Sequence, residues 1–166
     1  MARKLRQIEH VEFSVDGVTQ IVACMARLAL AGDGWINLIP KIADDFEGPT
    51  SLGFLTLVGA GASGVTMCTW IPASHDNRKE GSRASLGITH VTGRRALPVL
   101  NYSSAAPTPE TWLVEQDHPR RGLILRVPAD EPHEQLLVWA LQAVGVLSAP
   151  RDIRRWRADI YNPAAS

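Results

Sequence analysis

The chain has 166 residues, of which 45% are hydrophobic, and this is enough for one domain with a sizeable core. Its 17 basic and 17 acidic residues cancel, which excludes a strong overall charge that would draw the protein onto nucleic acid or an anionic membrane. Fourteen of the basic residues are arginine, a bias typical of GC-rich bacterial genomes.

The sequence predicts a cytoplasmic protein. Residues 1–13 are basic but lack the apolar core and the small-residue cleavage site of a secretory signal. The longest apolar run, 21–32, contains Arg27 and is far short of the ~20 residues that span a bilayer. Cys24 and Cys68 lie alone in apolar patterns, which is typical of core cysteines in a reducing compartment rather than of a disulfide.

Two helices and up to eight strands are predicted along the chain. The first helix has Asp16 as a candidate N-cap and Gly32 as its terminating glycine. The second, 130–147, is apolar on nearly every side and should be buried. The predicted strands, from alternation and β-branched runs, are 10–15, 33–40, 52–58, 65–71, 84–91, 112–117, 122–127 and 154–161.

Strand, helix and strand follow one another at both ends of the chain, with hairpins between. We therefore predict a single globular α+β domain over residues 1–166. It consists of a mostly antiparallel sheet of six to eight strands with two main helices packed on one face. The two ends of the chain form βαβ-like units.

Residues 59–64 match the G-x-G-x-x-G pattern of dinucleotide-binding turns. That site needs a helix directly after the glycines, because the pyrophosphate binds at the helix N-terminus. The residues that follow favour a strand instead, and Pro72 would end a helix early. We interpret 59–64 as the turn of a β-hairpin and predict no cofactor.

The segment 112–127 places an acid, a histidine and two arginines close together, namely Asp117, His118, Arg120 and Arg121. Such a set suits acid–base chemistry or the binding of an anion. Pro119 and Gly122, however, are the residues expected in a tight turn between two strands. We favour a structural turn with solvated charges and keep His90, Asp117 and His118 as weak catalytic candidates.

Paired arginines recur along the chain and are candidates for binding an anion or a nucleic-acid backbone: Arg94, Arg95, Arg120, Arg121, Arg155 and Arg157, with Trp156 between the last two. Acidic segments balance them, and no known nucleic-acid motif is present. Trp156 also fits the buried face of an alternating strand, with Arg155, Arg157 and Asp159 on the face toward water. The five histidines lack the spacing of metal ligands, so no metal site is predicted.

The leading hypothesis is a small cytoplasmic protein that works by binding, as an accessory or assembly factor without catalytic activity of its own. The alternative is an enzyme or ligand-binding protein with a pocket lined by His90, Asp117, His118 and an arginine doublet. A third hypothesis is weak binding of nucleic acid or another polyanion through the arginine doublets.

Two surfaces are candidates for protein contacts. The hairpin 52–71 carries apolar side chains on both faces, and two helices on one side of a sheet would leave the other face uncovered. We expect it to meet another chain, most simply a second copy in a homodimer. The apolar helix 131–147 is the other candidate surface.

Overall fold

The structure is a computed structural model that describes residues 7–41, 66–75, 82–90, 92–148 and 153–163. These residues form seven strands and three α-helices. The strands are β1 (Ile8–Ser14), β2 (Trp35–Lys41), β3 (Met67–Ile71), β4 (Arg83–Thr89), β5 (Leu113–His118), β6 (Gly122–Pro128) and β7 (Arg155–Tyr161). The helices are α1 (Thr19–Ala31), α2 (Ala96–Ser103) and α3 (His133–Leu147).

All seven strands belong to one sheet in the order β1-β7-β2-β3-β4-β6-β5, and every neighbouring pair is antiparallel. The predicted α+β class and the antiparallel sheet are confirmed. Each helix connects two strands that run in the same direction. The segments β1-α1-β2 and β4-α2-β5 each pass over one strand, and β6-α3-β7 passes over three.

The helices contact one another and the sheet. Crossovers of this kind are nearly always right-handed, and a common hand would place all three helices over the same sheet face. In agreement with that rule, α3 contacts α1, α2 and β3. The sheet residues on this side are buried in rows across the strands, for example Ala158, Leu38, Cys68, Ile88 and Leu123.

The described residues differ from the prediction in three places. The short helix α2 was not predicted, because eight residues with Pro98 in the first turn give little helical periodicity. The first helix begins at Thr19 after a 3-10 turn at Val15–Gly17, so Asp16 is not its N-cap. Pro40 lies inside β2, although the prediction ended the strand at this residue. Because β3 pairs with β2 only as far as Leu38, the missing N–H of Pro40 costs no hydrogen bond between β2 and β3.

Only one strand of the predicted 52–71 hairpin can be compared with the structure. Its second strand is confirmed as β3, whereas 52–58 and the turn 59–64 lie outside the described residues. A strand therefore follows the glycines where a dinucleotide site would need a helix. β3 is hydrogen-bonded to β2 on one edge and to β4 on the other, and Met67 to Trp70 are buried within the single chain.

The apolar helix α3 is buried as predicted, along with both cysteines, which are free thiols. Burial raises the pKa of the Cys68 thiol well above its ordinary value, so it stays protonated. In the described part of the chain, no helix has the length and apolar character needed to cross a membrane.

Packing of α3 against the sheet predicts a large stability loss on truncation. Leu137 is fully buried, so Leu137→Ala should lower the free energy of unfolding by about 2–5 kcal/mol. Leu30 on α1 is 80% exposed, so the same substitution there should change it by less than about 0.5 kcal/mol. Urea unfolding of both variants measures the difference, and equal losses would contradict this packing.

Candidate functional site

Two of the three catalytic candidates accept hydrogen bonds from backbone N–H groups. The carboxylate of Asp117 accepts hydrogen bonds from the backbone N–H groups of Ala96 (2.8 Å) and Leu97 (3.3 Å), at the start of α2. It therefore satisfies donors that a helix start leaves free, from outside the helix. His118 Nδ1 accepts from the backbone N–H groups of Arg120 (3.1 Å) and Arg121 (3.2 Å) and so closes the β5–β6 turn.

His90 lies at the end of β4 and is buried. Its Nδ1 is 3.0 Å from the hydroxyl oxygen of Thr92, and its Nε2 has no hydrogen-bond partner among the described residues. Burial lowers the pKa of His90, although the charge of Asp117 acts in the opposite direction. His90 and Asp117 are thus near each other, but neither lines the cavity described below.

The predicted turn and the start of α2 bring two arginine doublets to one corner of the molecule. Asp117 joins the two segments, so Arg94 and Arg95 lie close to the turn that carries Arg120 and Arg121. All four arginines are exposed. Gly122 has a φ of 87°, the left-handed conformation expected where this turn rejoins the ladder.

The third arginine group does not form a similar cluster. Trp156 is buried against Phe13, with ring centroids 6.5 Å apart, so it is a core residue and cannot stack on a ligand at the surface. Arg155 is exposed on the opposite face of β7. Arg157 is on that face too and pairs with Asp159, which is buried although the alternation predicted it to face water.

A cavity of about 450 Å³ opens where α1 ends, β4 begins and α3 begins. Trp70 of β3 forms part of its wall, and the polar lining comes from Ser74, His75, Ser82, Glu131 and His133. This volume is in the range of small-molecule sites. Sequence reasoning missed the cavity because its residues come from distant segments, none of which contains a recognisable motif.

His133 and Trp70 form the best-defined contact in this cavity. Their rings meet edge to face, with centroids 5.7 Å apart and planes at 73°. Partial burial lowers the pKa of His133, so its imidazole is neutral at physiological pH. The indole N–H of Trp70 is buried and has no hydrogen-bond acceptor within the described ranges.

Two other polar groups of the cavity are held by the protein. His75 Nε2 lies 2.6 Å from the carbonyl oxygen of Leu30, so the ring donates to a terminal carbonyl of α1. Gly32 ends α1 with a φ of 63°, and a side chain there would overlap the His75 ring. A carboxylate oxygen of Glu131 accepts from the indole N–H of Trp112 at 3.1 Å.

Polar side chains also form a row on the other face of the sheet. His10, Asp159, Asn37 and Thr69 are directly opposite one another on β1, β7, β2 and β3. Asp159, Asn37 and Thr69 are buried, and the Thr69 hydroxyl donates to the side-chain oxygen of Asn37 at 2.8 Å. Buried polar residues are informative because each one needs a partner.

Comparison with protein-family models, with curated proteins and with solved structures gave no match. Among the described residues, no three histidine, cysteine, aspartate or glutamate side chains are grouped so that they could hold a metal ion.

The lowered pKa values of His90 and His133 predict a loss of stability in mild acid. The unfolded chain takes up protons near the ordinary value of 6.5, but the folded protein resists protonation until a lower pH. Both residues therefore contribute to the free energy of unfolding above pH 6.5, and this contribution is lost as the pH falls through the pKa of the folded state.

Urea unfolding between about pH 7.5 and pH 5, which brackets histidine titration, measures this slope. We expect His90→Gln and His133→Gln each to flatten it, and Leu30→Ala, which removes no titratable group and changes an exposed residue, to leave it unchanged. If neither His90→Gln nor His133→Gln changes the slope of stability against pH, the lowered pKa values of these two residues are contradicted.

The small number of arginines at the corner formed by Arg94, Arg95, Arg120 and Arg121 predicts little affinity for nucleic acid. Its four arginines can neutralise about four phosphates, which for single strands limits the slope of log K against log salt to about −3. We therefore expect no measurable binding of single-stranded DNA near physiological salt. Fluorescence anisotropy with wild type and with all four arginines changed to Gln tests this, and binding that the substitutions abolish would reverse our conclusion.

Proposed function

We propose that this protein binds a small molecule in the cavity beside Trp70 and His133. The observation that carries the proposal is a 450 Å³ concavity with an indole ring in its wall and several polar groups directed by separate elements. Binding sites for small molecules combine apolar surface with a few placed polar groups in this way. We further propose that it acts in the cytoplasm and that α1 and α3 share one sheet face.

Two details of the cavity support binding rather than chemistry at this place. His75 and Glu131 are each engaged by a structural hydrogen bond, so neither is free to move a proton without weakening the fold. The neutral His133 can offer a ligand one donor and one acceptor.

The alternative predicted from the sequence, a pocket lined by His90, Asp117 and His118, has less support. Asp117 and His118 hold backbone groups of α2 and of the β5–β6 turn, and they do not line the cavity beside Trp70. Association through 52–71 or through 131–147 stays a prediction. Association was predicted because an uncovered apolar face requires a partner. Met67 to Trp70 of β3 are already buried within one chain, so this argument does not apply to them.

A thermal-shift screen of small heteroaromatic compounds tests the proposal. A compound present at 100 times its Kd stabilises the folded state by about 2.7 kcal/mol. For a chain of this size that corresponds to an increase in Tm of roughly 5–10 °C. Because Trp70 is in the cavity wall, we expect the same compounds to change the tryptophan fluorescence of wild type and to change it less in Trp70→Phe.

Matched variants on β4 and just before it locate the binding site. Ser82→Phe places a bulky ring in the cavity, whereas Ser85→Phe places the same ring on the other sheet face. A compound bound in the cavity should lose its effect in Ser82→Phe and keep it in Ser85→Phe. Equal shifts in both variants would place the binding site elsewhere, and a screen without any binder would contradict the proposal.

A further inference from the structure

A histidine, a buried carboxylate and an arginine are linked on the sheet face opposite the Trp70 cavity. His10 Nδ1 lies 2.6 Å from Asp159 Oδ1, and the two residues are directly paired on β1 and β7. Arg157 Nη2 donates to Asp159 Oδ2 at 3.1 Å, and its Nε lies 3.0 Å from Oδ1. The side chain of Asp159 is only 3% exposed, whereas that of His10 is 59% exposed.

These contacts determine which nitrogen of His10 carries the proton. An ionised carboxylate only accepts hydrogen bonds, and Asp159 already accepts one from the guanidinium of Arg157. His10 must therefore donate from Nδ1. In the neutral ring the lone pair is then on Nε2, which is the arrangement that an aspartate imposes on a catalytic histidine.

Two titratable residues near His10, Glu12 and Tyr161, are paired or keep their proton. On β1, Glu12 accepts from Lys41 Nζ at 2.7 Å, and this contact lowers the pKa of Glu12. Tyr161 is stacked on Trp35, and its pKa is raised by burial and then by the charge of Asp159, so its hydroxyl keeps its proton. Among the described residues on this face, the Glu12–Lys41 and Asp159–Arg157 pairs cancel and the exposed Arg155 adds one positive charge, so the surface disfavours a cationic substrate.

We propose that His10 is a general base for water attacking the acyl carbon of a small uncharged ester, with Asp159 and Arg157 as positioning residues. Nε2 takes a proton from water while the water oxygen bonds to the carbonyl carbon. The tetrahedral adduct then collapses and the C–O bond to the leaving group breaks. The leaving oxygen takes the electron pair of that bond and the proton from Nε2, which gives the acid and the alcohol and restores the neutral ring. This activity goes beyond ligand binding in the cavity and is independent of it.

The tautomer of His10 provides a direct test that needs no substrate. Long-range ¹H–¹⁵N NMR distinguishes a ring protonated on Nδ1 from one protonated on Nε2. His10 should show the Nδ1–H form. His75 and His118 are internal controls of the opposite form, because His75 Nε2 faces a carbonyl and His118 Nδ1 accepts from backbone N–H groups. An Nε2–H form for His10 would overturn the proposal.

Hydrolysis of p-nitrophenyl acetate by the full chain tests the reactivity. Positioned general bases contribute ~10²–10⁴-fold in enzymes, and for this simple probe we expect His10→Gln to lower the rate at least about tenfold. Asp159→Asn should lower it similarly and move His10 to the Nε2–H form, because the amide can donate to Nδ1. His118→Gln should leave the rate unchanged.

The outcomes separate positioning from mere stability. If Asp159→Asn unfolds the chain, Arg157→Gln replaces it as the test variant, because it leaves the carboxylate in place. The His10 tautomer of this variant is measured with the same long-range ¹H–¹⁵N NMR experiment. A rate unaffected by His10→Gln would overturn the proposal even if the tautomer is as expected. Neither result depends on binding in the Trp70 cavity, which Ser82→Phe tests separately.

Discussion

β7 is inserted between β1 and β2, and this insertion determines how the sheet is assembled. Over its whole length β7 pairs with β1 on one side and with β2 on the other. Without β7 the β1-α1-β2 unit would have two unpaired strand edges facing a gap. Those edges would leave backbone N–H and C=O groups without partners, so the N-terminal unit and the C-terminal strand must form together. The sheet joins the two ends of the chain.

The same insertion gives the sheet its two different faces. On one face β7 contributes Trp156, Ala158 and Ile160, all buried in the apolar core. Toward the other side it places Arg157 and Asp159 beside His10. Because side chains alternate along a strand, one seven-residue segment supplies both the core and the charged cluster. A shift of one residue in its register would exchange the two sets and bury the charges among the helices.

Much of this fold could be predicted from the sequence, but little of either site could. Alternation and helical periodicity identified α3 and most strands, since these patterns are local. The partners of a strand are not local, so no sequence pattern indicated that Asp159 lies beside His10. The alternation rule assigned Asp159 to water, whereas the structure buries it with two partners. Likewise, Asp117 and His118 resembled a catalytic pair because their backbone partners could not be seen in the sequence.

The five histidines show how the same side chain is used in different ways. His75 and His118 satisfy backbone groups at a helix end and at a turn, while His90 and His133 are partly or wholly buried near Thr92 and Trp70. Only for His10 does a buried charge fix one nitrogen while the other side of an exposed ring remains toward solvent. Burying an ion pair such as Asp159–Arg157 adds little to stability, because desolvation offsets most of the attraction. The orientation of His10 is therefore the more important consequence of that pair, and it is the reason to look for chemistry on this face of the sheet.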